Sequence, residues 1–251
     1  MSIGSVVARS LDVVLFAKAC GIEPDFWQAD FLRSKAKQII LLCSRQSGKS
    51  TVAALRALHQ AIYNPRSLTL ILGPSQRQSQ ELFSKTMNFY SRLPQNERPS
   101  VKKRTALEVE FVTGSRIIAL PENESTVRGY ASVNLIIIDE AAYVKDSYYM
   151  TIRPMLVVSK GMIIALSTPR SRNGWFYETW TKNDNDWHKI KITARECPRI
   201  TPEILEQERK QMPSYMFKME YECEFMDNEY QVISTELIKA AITPGLDWTP
   251  L

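Results

Sequence analysis

The stretch LLCSRQSGKSTVAAL, from Leu41 to Leu55, decides how the rest of the chain is read. Ile39 to Cys43 form a compact apolar run that suits a buried strand. A helical spacing follows, with Val52, Leu55, Leu58 and Ile62 on one face. Between them lies Gly48-Lys49-Ser50, the end of a phosphate-binding loop. Such a loop works by backbone geometry. Successive N–H groups and a helix N-terminus wrap the phosphates, the lysine neutralises the β and γ charges, and the hydroxyl joins a magnesium shell. The full pattern Gly-x-x-x-x-Gly-Lys-[Ser/Thr] asks for glycine at position 43, where this chain has Cys43. A plain strand–turn–helix with a surface lysine would also fit the letters. It leaves a lysine at a helix N-terminus, where the dipole repels cations. A bound anion removes that conflict.

Working outward, three more apolar runs read as buried strands: Leu68 to Leu72, Leu135 to Ile138 and Met162 to Leu166. Leu107 to Ala119 reads as a hairpin turning at Thr113-Gly114. Helices are expected over Val6 to Cys20, ended by Gly21, then from Pro24-Asp25, over Thr51 to Ala61 and over Gln78 to Leu93. Strands apolar on both faces and separated by helices imply an α/β fold with a mostly parallel sheet covered on both sides. Ligands of such sheets bind beyond the carboxyl ends of the strands, and the polar clusters of this chain follow strand ends. After Thr193 the texture changes. Thr201-Pro202-Glu203 and Pro213-Ser214 each start a helix, making a small helical appendage. The tail ITPGLDWTPL reads as a linker. The boundaries expected are a core over 1–194, a helical subdomain over 195–240 and a linker over 241–251.

The strand Leu135–Ile138 ends in Asp139-Glu140. Such a pair often only ends a strand in solvent. With a phosphate loop on another strand it reads as a magnesium ligand, Asp139, and a base for the attacking water, Glu140. That combination points to a nucleoside triphosphatase, and the second acid favours hydrolysis over mere binding. Charge developing on the γ-phosphate needs further cations. Arg45 lies inside the loop, and Arg128, beside Gly129, could project toward a neighbouring subunit. Ser167-Thr168-Pro169 ends another strand, where short hydroxyls can sense the γ-phosphate. Gln28 could read the adenine edge, with Trp27 packing on the base. Each of these residues also has an ordinary structural reading: salt bridge, turn or core.

Composition narrows the class. The 251 residues carry +5 formal charge, a mild excess that permits a polyanionic partner without demonstrating one. Cys20, Cys43, Cys197 and Cys223 form no Cys-x-x-Cys pair, so reduced core thiols are expected rather than zinc. The run Val13 to Ala17 is too short to span a bilayer, and no signal peptide is visible, so a soluble intracellular protein is expected.

The order Gln28, then SRQSGKST, then the hairpin, then TVRGYASVNLIIIDEAAYV, then LSTPRSRNGWFYETW resembles the ATPase domain of the large terminase subunit of tailed bacteriophages. The resemblance covers nearly the whole chain, and ERKQMPSYMFKMEYECEF looks like that family's helical lid. A residue other than glycine at position 43 is typical of its phosphate loop. The resemblance implies a P-loop ATPase of the additional-strand, catalytic-glutamate class. MgATP would sit on the loop residues Ser44, Arg45, Gln46, Ser47, Gly48, Lys49, Ser50 and Thr51, with Gln28 and Trp27 at the base. Ser50 and Asp139 would hold magnesium. Glu140, Arg45 and Arg128 would serve catalysis, Arg128 in the next subunit, and Ser167, Thr168 and Pro169 would couple hydrolysis to motion. The partners implied are double-stranded DNA, the portal protein and the small terminase subunit. A ring expected to contain five copies would work at the procapsid portal in the host cytoplasm, with the isolated chain a slow monomer. The family's C-terminal nuclease is not expected within these residues.

A packaging motor grips the phosphate backbone without reading bases. Lys102-Lys103-Arg104 and Arg170/Arg172 are the candidate contacts, although a charge run is usually a solvated face. The main rival is a helicase-like or DNA-remodelling P-loop ATPase, which would normally carry a second ATPase-like domain. A nucleotide switch is disfavoured by Glu140.

Overall fold

The computed structural model describes residues 3–227. Two helices open the chain, α1 (Ile3–Leu11) and α2 (Val13–Ala19), where one was expected. Asp12 divides them: its carboxylate accepts the Val14 amide at 2.9 Å and caps a new helix. Gly21, at φ 76°, supplies the left-handed turn that stops α2. Helix α3 (Phe26–Arg33) starts with a capping box of Asp25 and Gln28.

The nucleotide-fold portion continues with β1 (Gln38–Cys43), α4 (Lys49–Tyr63), β2 (Leu68–Gly73) and α5 (Gln76–Arg92). Then come β3 (Val101–Arg104), β4 (Glu108–Phe111), β5 (Arg116–Pro121) and the short α6 (Glu124–Val127). The remainder is β6 (Leu135–Asp139), α7 (Asp146–Ile152), β7 (Met162–Ser167), α8 (Gly174–Thr181), β8 (His188–Ile192), α9 (Pro202–Gln211) and α10 (Ser214–Glu222). Two of the strands were not expected, β3 and β8. Every residue of β3 is exposed, and β8 alternates lysine with isoleucine on an edge, so neither shows a buried run.

The sheet order is β3-β4-β5-β2-β6-β7-β1-β8. All pairings from β5 to β8 are parallel, and β3, β4 and β5 pair antiparallel. Strand β7 therefore lies between the loop strand β1 and the acid strand β6. Alternation along β1 feeds two cores: Ile39 and Leu41 join the cluster under α4 and α5, while Ile40 and Leu42 join the one under α7 and α8. Tyr149 and Trp175 stack at 3.9 Å in the second core. Truncating a central residue such as Ile137 to alanine costs about 2–5 kcal/mol. Helices α9 and α10 pack against each other through Tyr221–Glu208 and Arg209–Glu222 contacts. Residues 228–240 of the expected helical subdomain, and the expected linker 241–251, lie outside the described residues. Among the described residues, no helix is long and apolar enough to cross a membrane.

Candidate active site

Cys43 still belongs to β1. It is fully buried and registers with Ile192 of β8, with no left-handed backbone that would call for glycine. The left-handed residues of the loop come later, Gln46 at φ 57° and Gly48 at φ 93°. A Cβ on Gly48 would meet the Gln28 amide nitrogen at 2.6 Å and an Arg199 nitrogen at 3.2 Å, so that position does require glycine. The loop is anchored by its own amides: Ser44 N–H donates to Ile192 and Arg45 N–H to Glu220, both at 2.9 Å.

Three strand ends converge beyond this loop. The Lys49 ammonium, nearly buried, stands 3.4 Å from a Glu140 carboxylate oxygen. Ser50 Oγ donates to Asp139 Oδ2 at 3.4 Å, and Ser167 Oγ to Glu140 Oε2 at 3.4 Å. Glu140 itself takes a left-handed turn, φ 50°, and its amide donates to Asp139 Oδ1 at 3.0 Å. Burial, and then the neighbouring Glu140 charge, push the Asp139 carboxyl up from 3.8 to about 6, against the pull of Lys49. Two carboxylates, a lysine and two hydroxyls thus share one small volume, an arrangement that a cation and a polyphosphate would relieve.

The remaining expected residues are placed less uniformly. Arg45 turns away from the acids and pairs with Glu220 of α10, Nε to Oε2 at 2.9 Å. Gln28 is buried with both amide ends engaged inside the chain: its oxygen accepts from Asp25 N–H, and its nitrogen donates to the Ser47 carbonyl at 3.3 Å. Trp27 is buried in the first core, so its ring does not offer a free face to a base. Arg199, absent from the sequence reading, donates to the same Ser47 carbonyl at 2.7 Å and pairs with Asp25. Thr168 and Pro169 are buried beside Ser167, and Arg170 lies over the Tyr143 ring at 4.8 Å. Arg128 ends α6 with a largely exposed side chain and pairs across one turn with Glu124.

The basic clusters are partly neutralised within the chain. Lys102 pairs with Glu110 and Lys103 with Glu108, leaving Arg104 exposed. Arg172 donates to the Phe225 carbonyl and pairs with Asp227. Sequence reasoning also missed the far wall of the site. A cavity of about 270 Å³ joins Ser50, Asp139 and Glu140 to Gln78, Glu81 and Lys85 of α5. A larger cavity, about 690 Å³, starts at Thr51 and runs on under the same helix. The smaller one holds the acids. Spacing alone could not select these α5 residues, because it does not say which helix face meets which strand end.

A loop between β1 and α4, acids ending β6, and a further strand between β1 and β6 define the P-loop nucleoside triphosphatase fold of the additional-strand class. The chain belongs to the terminase large subunit family, T4likevirus-type, N-terminal part, whose sequence model matches residues 40–240. It is 26% identical over 254 residues to the terminase large subunit of Thermus phage G20c, a match covering 87% of this chain and 52% of that protein. The chain thus spans about half the length of the curated relatives it matches. Among solved structures, the Thermus phage P74-26 large terminase ATPase domain superposes with a TM-score of 0.75 at 24% identity, covering 84% of this chain and 97% of that one. The large terminase of another thermophilic bacteriophage, in complex with ADP, gives a TM-score of 0.65 at 13% identity, covering 87% and 53%. These likenesses confirm the fold.

Proposed function

We propose that this chain is the ATP-hydrolysing part of a large terminase, a motor that drives double-stranded viral DNA into a procapsid. The observation that carries the reading is the convergence of Lys49, Ser50, Asp139 and Glu140 at the ends of β1 and β6. The family membership supports the packaging role, and the ADP complex of the thermophilic phage relative supports the nucleotide.

In this reading the loop amides from Ser44 to Thr51 cradle the phosphates, and Lys49 leaves Glu140 to meet the β and γ charges. Ser50 Oγ and Asp139 Oδ2 are hard oxygens that would hold magnesium. The raised Asp139 pKa fits a carboxylate awaiting a cation. Magnesium, when bound, supplies charge neutralisation at the β and γ phosphates. Freed from Lys49, Glu140 orients and deprotonates the attacking water, with Ser167 holding its other oxygen. Arg45 reaches the γ-phosphate only by leaving Glu220, so nucleotide binding loosens one tie between loop and α10. Arg128, exposed on α6, serves a neighbouring copy in a ring of five. Gln28 and Arg199 shape the base side of the loop, Gln28 from behind Ser47. Ser167 to Pro169 pass phosphate loss to the helical subdomain, of which residues 195–227 are described. The ring works at the portal in the host cytoplasm beside the small terminase subunit, and its DNA grip falls on Arg170, Arg172 and Arg104 with its neighbours Lys102 and Lys103.

The test is ATP turnover against protein concentration, with and without double-stranded DNA, for the parent and Glu140→Gln. The variant should keep ATP-γ-S binding and lose turnover by about 10²–10⁴-fold. Equal turnover by variant and parent would refute the role of Glu140. Strand separation on a forked duplex would replace the packaging reading with a helicase.

A further inference from the structure

Helix α5 has no part in the mechanism just described, yet it forms the wall opposite the acids. Gln78, Leu82 and Lys85 fall on one face of it, at i, i+4 and i+7. Leu82 is buried against the sheet, so the residues flanking it look into the 270 Å³ cavity with Ser50, Asp139 and Glu140. Lys85 is half-buried there. Its natural partner would be Glu81, one turn earlier in the favourable acid-before-base order. Glu81 is instead taken by Arg77, at 3.1 Å. Among the described residues, no carboxylate or carbonyl is recorded within hydrogen-bond or ion-pair distance of the Lys85 ammonium. Helical side chains lean toward the helix N-terminus, and α5 starts beyond the carboxyl end of β2, so the Lys85 stem leans toward the reacting end of the sheet. Lys85 is thus half-buried without an ion-pair partner among the described residues, in a cavity whose three carboxylates are Glu81, Asp139 and Glu140.

We propose that Lys85 is a further cation of the reaction centre, contacting the γ-phosphate from the α5 side, opposite Lys49. This rests on the ATPase reading. In the step it serves, the water oxygen bonds to the γ-phosphorus as the bond from phosphorus to the β–γ bridging oxygen breaks. That electron pair stays on ADP, and Glu140 takes a water proton. In that loose transition state charge moves onto the β–γ bridging oxygen and is spread over the three transferring phosphoryl oxygens, and an ammonium preorganised for that geometry stabilises it more than the ground state. Lys85 should therefore affect turnover and transition-state mimics far more than it affects nucleotide binding.

The experiment compares the parent chain, Lys85→Met, Lys85→Arg and Lys49→Ala for binding of MgADP, MgATP-γ-S and MgADP–aluminium fluoride, together with turnover. Lys85→Met should melt like the parent and bind MgADP and MgATP-γ-S within about threefold, while losing about tenfold or more in MgADP–aluminium fluoride affinity and about 10–100-fold in kcat. Arginine at 85 should restore part of both. Unchanged aluminium fluoride binding and kcat would overturn the proposal, as would an equal loss for ADP and its aluminium fluoride complex. Loss of double-stranded DNA binding with kcat intact would overturn it in favour of a DNA contact. If the parent itself neither binds nor hydrolyses ATP, the ATPase reading fails first, and Lys49→Ala will then match the parent.

Discussion

Asp139 carries a stability cost that can be measured without any nucleotide. Its carboxyl sits at about 6 instead of 3.8, mainly through burial, with Glu140 adding repulsion. A carboxyl raised in the folded state binds its proton more tightly there than in the unfolded chain. Between those two values the folded chain keeps a proton the unfolded chain has released, so stability falls as pH rises through the window and the full loss is present above it. The rise from 3.8 to about 6 corresponds to about 3 kcal/mol. Asp139→Asn removes the charge and keeps the shape. Its Oδ1 can still accept from Glu140 N–H, and its amide can still face Ser50. In chelator, near pH 8, the variant should be up to about 3 kcal/mol more stable than the parent, narrowing to about half that near pH 5. For a chain of this size, that upper value is a rise in Tm of roughly 6–12 °C. The assay is urea unfolding of both proteins at the two pH values, with nucleotide binding as the second readout. The same variant should lose magnesium-dependent ATP binding. A variant no more stable than the parent near pH 8, or a gap that does not narrow toward pH 5, would refute the argument.

Gly48→Ala should lose nucleotide binding and destabilise the chain by about 1–3 kcal/mol, because a left-handed backbone and a close approach to Gln28 coincide there; a parent-like melting curve with intact ATP-γ-S binding would contradict this. Arg128→Ala subunits mixed with Glu140→Gln subunits should regain DNA-stimulated turnover if Arg128 serves a neighbour. Mixed assemblies without any regain would show that it does not.

Much of the fold was legible because its signals are local. The apolar runs at Leu68, Leu135 and Met162 became β2, β6 and β7, and the helix starts at Thr201-Pro202 and Pro213-Ser214 became α9 and α10. Strand β3 was invisible because all four of its residues face solvent. Strand β8 was invisible because its lysines hide the alternation of an edge strand. The single helix expected over Val6 to Cys20 is two helices because the Asp12 carboxylate caps a new one where periodicity alone runs on. Position 43 tolerates cysteine because the chain is still strand there, and the loop begins its left-handed turns only at Gln46.

The chain's own letters determined that the Gly48-Lys49-Ser50 turn and the Asp139-Glu140 pair each follow a buried apolar run, since both depend on residues adjacent in sequence. Only the tertiary structure decided that β7 separates β1 from β6, that Lys49 meets Glu140, that Arg45 turns to Glu220, and that Lys85 lines the cavity that holds the acids. Those facts depend on which strand pairs with which and which helix face packs inward. Such choices are made by burial summed over the whole sheet, and no single segment contains them.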